Sequence, residues 1–107
     1  MVKKPLNSGY KEIIRLENML TDADILHHIE RFEDGYILVY PDYEKKICSV
    51  IEYTGSCGYR MDRLEIMGLL NSAERKNDKV AGWLTAENVF DRIKRDWERR
   101  KKRVRVL

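Results

Sequence analysis

The sequence predicts an α+β fold, a small antiparallel sheet packed with helices, and three observations carry that expectation. A length of 107 residues with 43% apolar and 36% charged residues suits one domain around a single core. Tyr36-Ile37-Leu38-Val39-Tyr40 and the run from Lys46 to Tyr53 are β-branched and aromatic, and Pro41 to Lys45 separates them as a turn. That pattern predicts an antiparallel hairpin over residues 36–53. Apolar residues recur at helical spacing on both sides of the hairpin, and no strand–helix–strand unit follows that would favour a doubly wound parallel fold.

Taken in order, residues 1–7 carry two lysines and Pro5 and read as a flexible leader, 8–102 as the domain, and 103–107 as a basic tail. Ser8 can cap a helix from about Gly9 to Leu20, with Ile13, Leu16 and Leu20 on one face. Thr21 and Asp24 form a capping-box-like restart for a second N-terminal helix to about Phe32, burying Ile25 or Leu26, Ile29 and Phe32. Glu33-Asp34-Gly35 is expected to end it. After the hairpin, Thr54 to Gly58 is a small-residue loop, and Tyr59 to Leu70 returns to helical spacing through Met61, Leu64 and Leu70 as a middle helix. Gly68 is its weak point.

Asn71 to Lys79 is a polar connection with room for a short turn at Ser72 to Arg75, and Val80 to Leu84 is ambiguous between a third strand and an extended packing segment. Thr85 caps a long C-terminal helix from Ala86 to about Lys102. Its stripe of Ala86, Val89, Phe90, Ile93 and Trp97 is expected to dock on the hairpin, leaving Arg92 on the opposite side. Asp91 with Arg95, Asp96 with Arg100 and Glu98 with Lys102 are acid-before-base pairs four apart.

Composition narrows the function classes. The longest stretch without a charge, Ile66 to Ala73, is eight residues, where a membrane span needs about 20. Charges at Lys3, Lys4, Lys11, Glu12, Arg15 and Glu17 leave no apolar core for a signal peptide, so the expected location is cytoplasmic. There Cys48 and Cys57 would remain reduced, Cys48 as strand packing. A zinc site needs four ligands, and His27 and His28 are adjacent and would point to different sides of a helix; neither a metal nor a cofactor is expected.

Charge is distributed unevenly. The net charge is +3, yet residues 92–107 hold nine basic and two acidic residues, a net of +7, so residues 1–91 carry −4. Such polarity orients a molecule toward phosphate or an acidic protein surface. Arg95, Arg99, Arg100, Lys101, Lys102, Arg103 and Arg105 are therefore candidate partner-binding residues, able to displace counterions from a nucleic acid. No zinc-finger spacing, aromatic RNA-binding signature or helix-turn-helix pair accompanies them.

Tyr36, Tyr40, Tyr43, Tyr53 and Tyr59 cluster on or beside the hairpin, and strand alternation puts Tyr36 and Tyr40 on one face with Leu38. Exposed, Tyr36, Tyr40 and Tyr43 would anchor a partner or stack on bases; covered by helices, they are core. Gly55-Ser56-Cys57-Gly58 before a helix could bind an anion without catalysis. His27 and His28 precede Glu30, but no nucleophile or paired carboxylate lies at a recognisable spacing.

The Cys-x5-Arg spacing of Cys57 and Arg63 resembles the phosphate loop of cysteine-dependent phosphatases and arsenate reductases. The resemblance implies a thiolate nucleophile at Cys57 and an anion-holding Arg63. Tyr59, Arg60, Met61 and Asp62 depart from it by crowding a loop that must wrap an anion. In size, composition and lack of a catalytic motif the chain resembles the compact accessory proteins of phages and mobile elements, including anti-CRISPR and other anti-defence inhibitors. That resemblance implies a non-enzymatic binding protein that occupies a surface of a protein partner and inhibits a nucleic-acid-handling complex. The alternative is a direct DNA- or RNA-binding accessory protein using the basic C-terminal helix, and the third reading is the phosphatase-like enzyme.

Overall fold

A computed structural model describes residues 10–54, 63–77 and 79–106. The elements in chain order are α1 (Lys11–Asp22), β1 (His28–Phe32), β2 (Gly35–Tyr40), β3 (Cys48–Glu52), β4 (Leu64–Met67), α2 (Ser72–Asn77), β5 (Val80–Leu84) and α3 (Ala86–Val106). The fold is α+β. Its sheet is wholly antiparallel in the order β1-β2-β3-β4-β5, so each strand pairs with its neighbour in sequence. The hairpin expected over residues 36–53 is its centre, with Tyr36 opposite Glu52 and Tyr40 opposite Cys48.

Alternation along the strands assigns the two faces. Tyr36, Leu38 and Tyr40 share a side with Cys48, Val50, Leu64 and Ile66, and all seven are buried. Glu52 on this side meets the start of α1, while Tyr40 meets Asp96 of α3, so both helices lie on the same face. Ile13, Leu16 and Leu20 of α1 and Ala86, Val89 and Ile93 of α3 complete the core. The opposite face carries Ile37, Val39, Ile51, Glu65 and the exposed Met67, with Val39 fully buried.

Two buried carboxylates fasten the helices where their first N–H groups lack intrahelical acceptors. Tyr10, before α1, supplies no side-chain cap, and Glu52 Oε1 accepts the Ile13 N–H at 3.0 Å instead. Glu12 in turn presents Oε2 to the Ala86 N–H at 2.6 Å, and Arg15 holds the same carboxylate and also Glu87. At α3 the expected Thr85 cap is present, its Oγ1 accepting from the Asn88 N–H at 3.2 Å. The expected Ser8 cap lies outside the described residues.

Close strand approach fixes two glycines. A Cβ at Gly35 would lie 1.9 Å from the Glu52 carbonyl oxygen, inside any contact distance. Gly68 has φ +99°, and a Cβ there would meet the Ile47 carbonyl oxygen at 2.4 Å. It turns the chain out of β4, a role only glycine fills without strain.

Several expectations are corrected. The second N-terminal helix is absent: α1 runs through Asp22, Asp24 turns the chain at φ +62°, and His28–Phe32 pairs with β2 as a strand. Ile29 and Phe32 fit a helical spacing locally, but partners at Leu38 and Gly35 satisfy their backbone in the sheet. Glu33-Asp34 is therefore the turn of a hairpin. Residues 59–62 of the expected middle helix lie outside the described residues, and the rest gives way to β4 over Leu64–Met67, where Leu64 and Ile66 alternate inward against β3. The ambiguous Val80–Leu84 is a strand, with a register irregularity opposite Leu64 and Ile66 and Trp83 at φ +60°.

Candidate functional site

The most strongly cationic concavity described lies between α3 and the segment from Leu69 to Arg75. It is built from the turn that Gly68 and Leu69 make out of β4, Leu69 itself at φ +54°. Asn71 then starts α2 with a reciprocal cap: the Glu74 N–H donates to Asn71 Oδ1 and the Asn71 N–H donates to Glu74 Oε1, both at 2.9 Å. The same Glu74 carboxylate receives Arg92 from α3 through Nη1 and Nη2, each at 2.9 Å. Arg92 also donates to the Leu69 carbonyl at 3.0 Å and to Asn88 Oδ1 at 2.7 Å. The guanidinium thus seams the loop to the helix, and these bonds hold the Glu74 carboxyl down at about 2.

The result is a cleft of about 600 Å³ lined by Leu69, Leu70, Asn71, Arg75, Asn88, Arg92, Arg95 and Arg99. Arg92 has its donors spent on protein acceptors and forms a fixed wall. The other three arginines are loosely held: Arg75 donates from Nη1 to the Leu70 carbonyl, Arg95 only from Nε to the Asp91 carbonyl at 3.3 Å. Arg99 reaches Asp96 at 3.4 Å with its side chain 63% exposed. Planar guanidinium forks with spare N–H groups on a concave surface match carboxylate or phosphate oxygens two at a time. The cleft can bind an anion.

Of the residues singled out from sequence, Arg95 and Arg99 stand together in this cleft. Arg100 is drawn instead to Asp96 Oδ2 at 2.7 Å. Lys101 is exposed, while the side chains of Lys102, Arg103 and Arg105 lie outside the described residues, although the α3 backbone stays helical through Val106. Tyr40 is fully buried and donates its hydroxyl to Asp96 at 2.7 Å, which places it in the core; burial raises the phenol further above its usual range. Tyr36 is buried with the Arg31 guanidinium over its ring. Tyr43 is exposed and donates to Glu30. The three tyrosines form no shared surface.

Asp96 is the buried charge that ties this end of α3 to the sheet. Burial pushes its carboxyl up, but hydrogen bonds from Arg100 and Tyr40 outweigh that and hold it below the ordinary range. Sequence reasoning missed Arg75, Arg92, Asn71 and Asn88, and it placed Arg92 on the open side of the helix. The findable signal was Asn71 followed three residues later by Glu74, a helix-start signature that puts Arg75 at the head of α2.

Cys57, with the Gly55–Gly58 loop and Tyr59, lies outside the described residues. Arg63 leads directly into strand β4, so the loop-to-helix passage that the phosphatase resemblance implies does not follow it. His27 sits 2.7 Å from the Ile25 carbonyl and 3.0 Å from Glu17, and the His28 ring lies tilted 6.0 Å from that of Tyr43, so the two rings serve separate neighbourhoods. Among the described residues no three His, Cys, Asp or Glu side chains converge as metal ligands, and no helix is long and apolar enough to cross a membrane. Comparisons of the chain with protein-family models, curated proteins and solved structures found no match.

Proposed function

We propose that this chain is a binding protein, acting by occupancy and without a catalytic step, that docks on a nucleic-acid-handling complex through the arginine-lined face of α3 and inhibits it. The observation that carries this reading is the cleft, in which Arg95 and Arg99 from α3 converge with Arg75 from α2 around about 600 Å³ of open volume. Arg92 and Glu74 hold the two walls in place, so the cationic surface is organised before a partner arrives. The polarised charge supports the same reading, since a body at −4 with an end at +7 approaches an anionic surface in one orientation. The resemblance to phage and mobile-element inhibitors supplies the inhibitory role, and a cytoplasmic setting follows from it.

The test is salt elution from a sulfated polyanion matrix, comparing the protein with an Arg95→Ala, Arg99→Ala variant and with a Lys45→Ala, Lys46→Ala variant of equal net charge. The cleft variant should elute at clearly lower salt than the lysine control. Equal elution of the two variants would remove the cleft as the docking surface.

A further inference from the structure

We infer that the cleft beside α3 takes the phosphodiester backbone of a nucleic acid strand, so that the protein touches the nucleic acid held by its target complex. The inference rests on the preceding reading of the cleft as the docking surface and names its ligand.

Spacing favours this ligand. Arg95 and Arg99 stand four residues apart on a single helix, and at about 1.5 Å per residue they cover about 6 Å of its axis. Phosphates of one strand recur about every 3.4 Å along a duplex, so this length faces about two of them. The cationic series also continues beyond the cleft, because α3 keeps its helical backbone to Val106 through Arg100, Lys101, Lys102, Arg103 and Arg105. From Arg92 to Leu107 the acidic residues are Asp96 and Glu98, and Asp96 is already engaged by Tyr40 and Arg100. A helix dense in cations with an open cleft beside it fits a regularly repeating polyanion better than a folded acidic surface, whose carboxylates are spaced irregularly and mixed with cations.

Donor geometry agrees. Arg95 commits only its Nε to a backbone carbonyl, and Arg75 only Nη1, which leaves each guanidinium an edge to present to non-bridging phosphate oxygens. Among the described residues the cleft walls otherwise show Asn71, Asn88 and the Leu69-Leu70 turn, and none of the lining residues is aromatic. Recognition should therefore be of backbone charge and indifferent to base sequence.

Fluorescence anisotropy tests this with labelled oligonucleotides of two unrelated sequences and with polyglutamate of matched charge, across about 50 to 200 mM salt. Both oligonucleotides should bind with similar affinity and at least about ten-fold more tightly than polyglutamate. Arg95→Ala with Arg99→Ala should weaken oligonucleotide binding about ten-fold or more and reduce the salt slope by about 2. Lys45→Ala with Lys46→Ala should change the slope little. Arg95→Lys with Arg99→Lys keeps charge and helix, so an intermediate loss would show that the guanidinium fork matters. Equal binding of polyglutamate and oligonucleotide, both lost in the cleft variant, would overturn the phosphodiester ligand while leaving the docking surface intact. Oligonucleotide binding unaffected by the cleft variant would overturn both.

Discussion

Arg92 and Glu74 face each other through two hydrogen bonds of 2.9 Å, joining the second turn of α3 to the first turn of α2. Arg92 is only 12% exposed in its side chain and Glu74 22%, so the pair is largely sheltered. A side chain that helical periodicity assigns to solvent is thus a structural member of the cleft. Arg92→Ala should cost about 2 kcal/mol, as expected for charge-assisted bonds with one partner left behind. Urea unfolding measures it, and a loss under about 0.5 kcal/mol would mean that the seam contributes nothing.

The same pair sets a pH dependence. The Arg92 bonds lower the Glu74 carboxyl from 4.5 to about 2, and the bonds from Thr54 with that from Tyr10 lower Asp34 from 3.8 to about 2. Because both folded values lie below the unfolded ones, their stabilisation is complete above about pH 4.5 and is lost as pH falls toward 2. Unfolding free energy should decline through that window, and Glu74→Gln should flatten part of the decline. An identical profile for the variant would contradict the assignment.

Glu12 belongs to α1 yet caps α3 at Ala86. Removing its carboxylate in Glu12→Ala strands a buried N–H and should cost about 2 kcal/mol. Glu12→Gln, which keeps an acceptor oxygen, should cost about half as much in the same denaturation assay. Equal losses would indicate that Glu12 acts through charge alone.

Cys48 is 2% exposed on the core side of β3, and burial pushes its thiol up to about 12. In a Cys57→Ser chain the remaining thiol should resist a disulfide reagent at about pH 8, reacting only as the protein opens, because the thiolate is the reactive form. Immediate reaction of the folded variant would show β3 to be open at this position.

How far the sequence revealed this molecule depends on where each signal resides. The hairpin around Tyr36 to Tyr53, the stripe of α1 and the Thr85 cap were legible because each is written in neighbouring residues. Strand β1 was not, since its five residues alternate weakly and its stability comes from pairing with β2. β4 has only four residues, and its Leu64 and Ile66 also fit a helical spacing. Arg95 and Arg99 were found from charge density, whereas the partnership of Arg75 and Arg92 with them depends on a turn at Gly68 that brings distant segments together. Tyr40 shows the reverse case: its buried hydroxyl is explained only by Asp96, 56 residues away.

Partner binding at the arginine cleft, as proposed, can be read residue by residue in solution. Its most direct test is to titrate isotopically labelled protein with an oligonucleotide and follow backbone amide and arginine side-chain resonances. Saturable shifts should concentrate at Leu69 to Arg75 and Asn88 to Arg99, with the Arg75, Arg95 and Arg99 guanidinium signals moving most. Saturable shifts confined to the β1–β2 hairpin or to the sheet face of Ile37, Ile51 and Met67, with the cleft silent, would rule the cleft out.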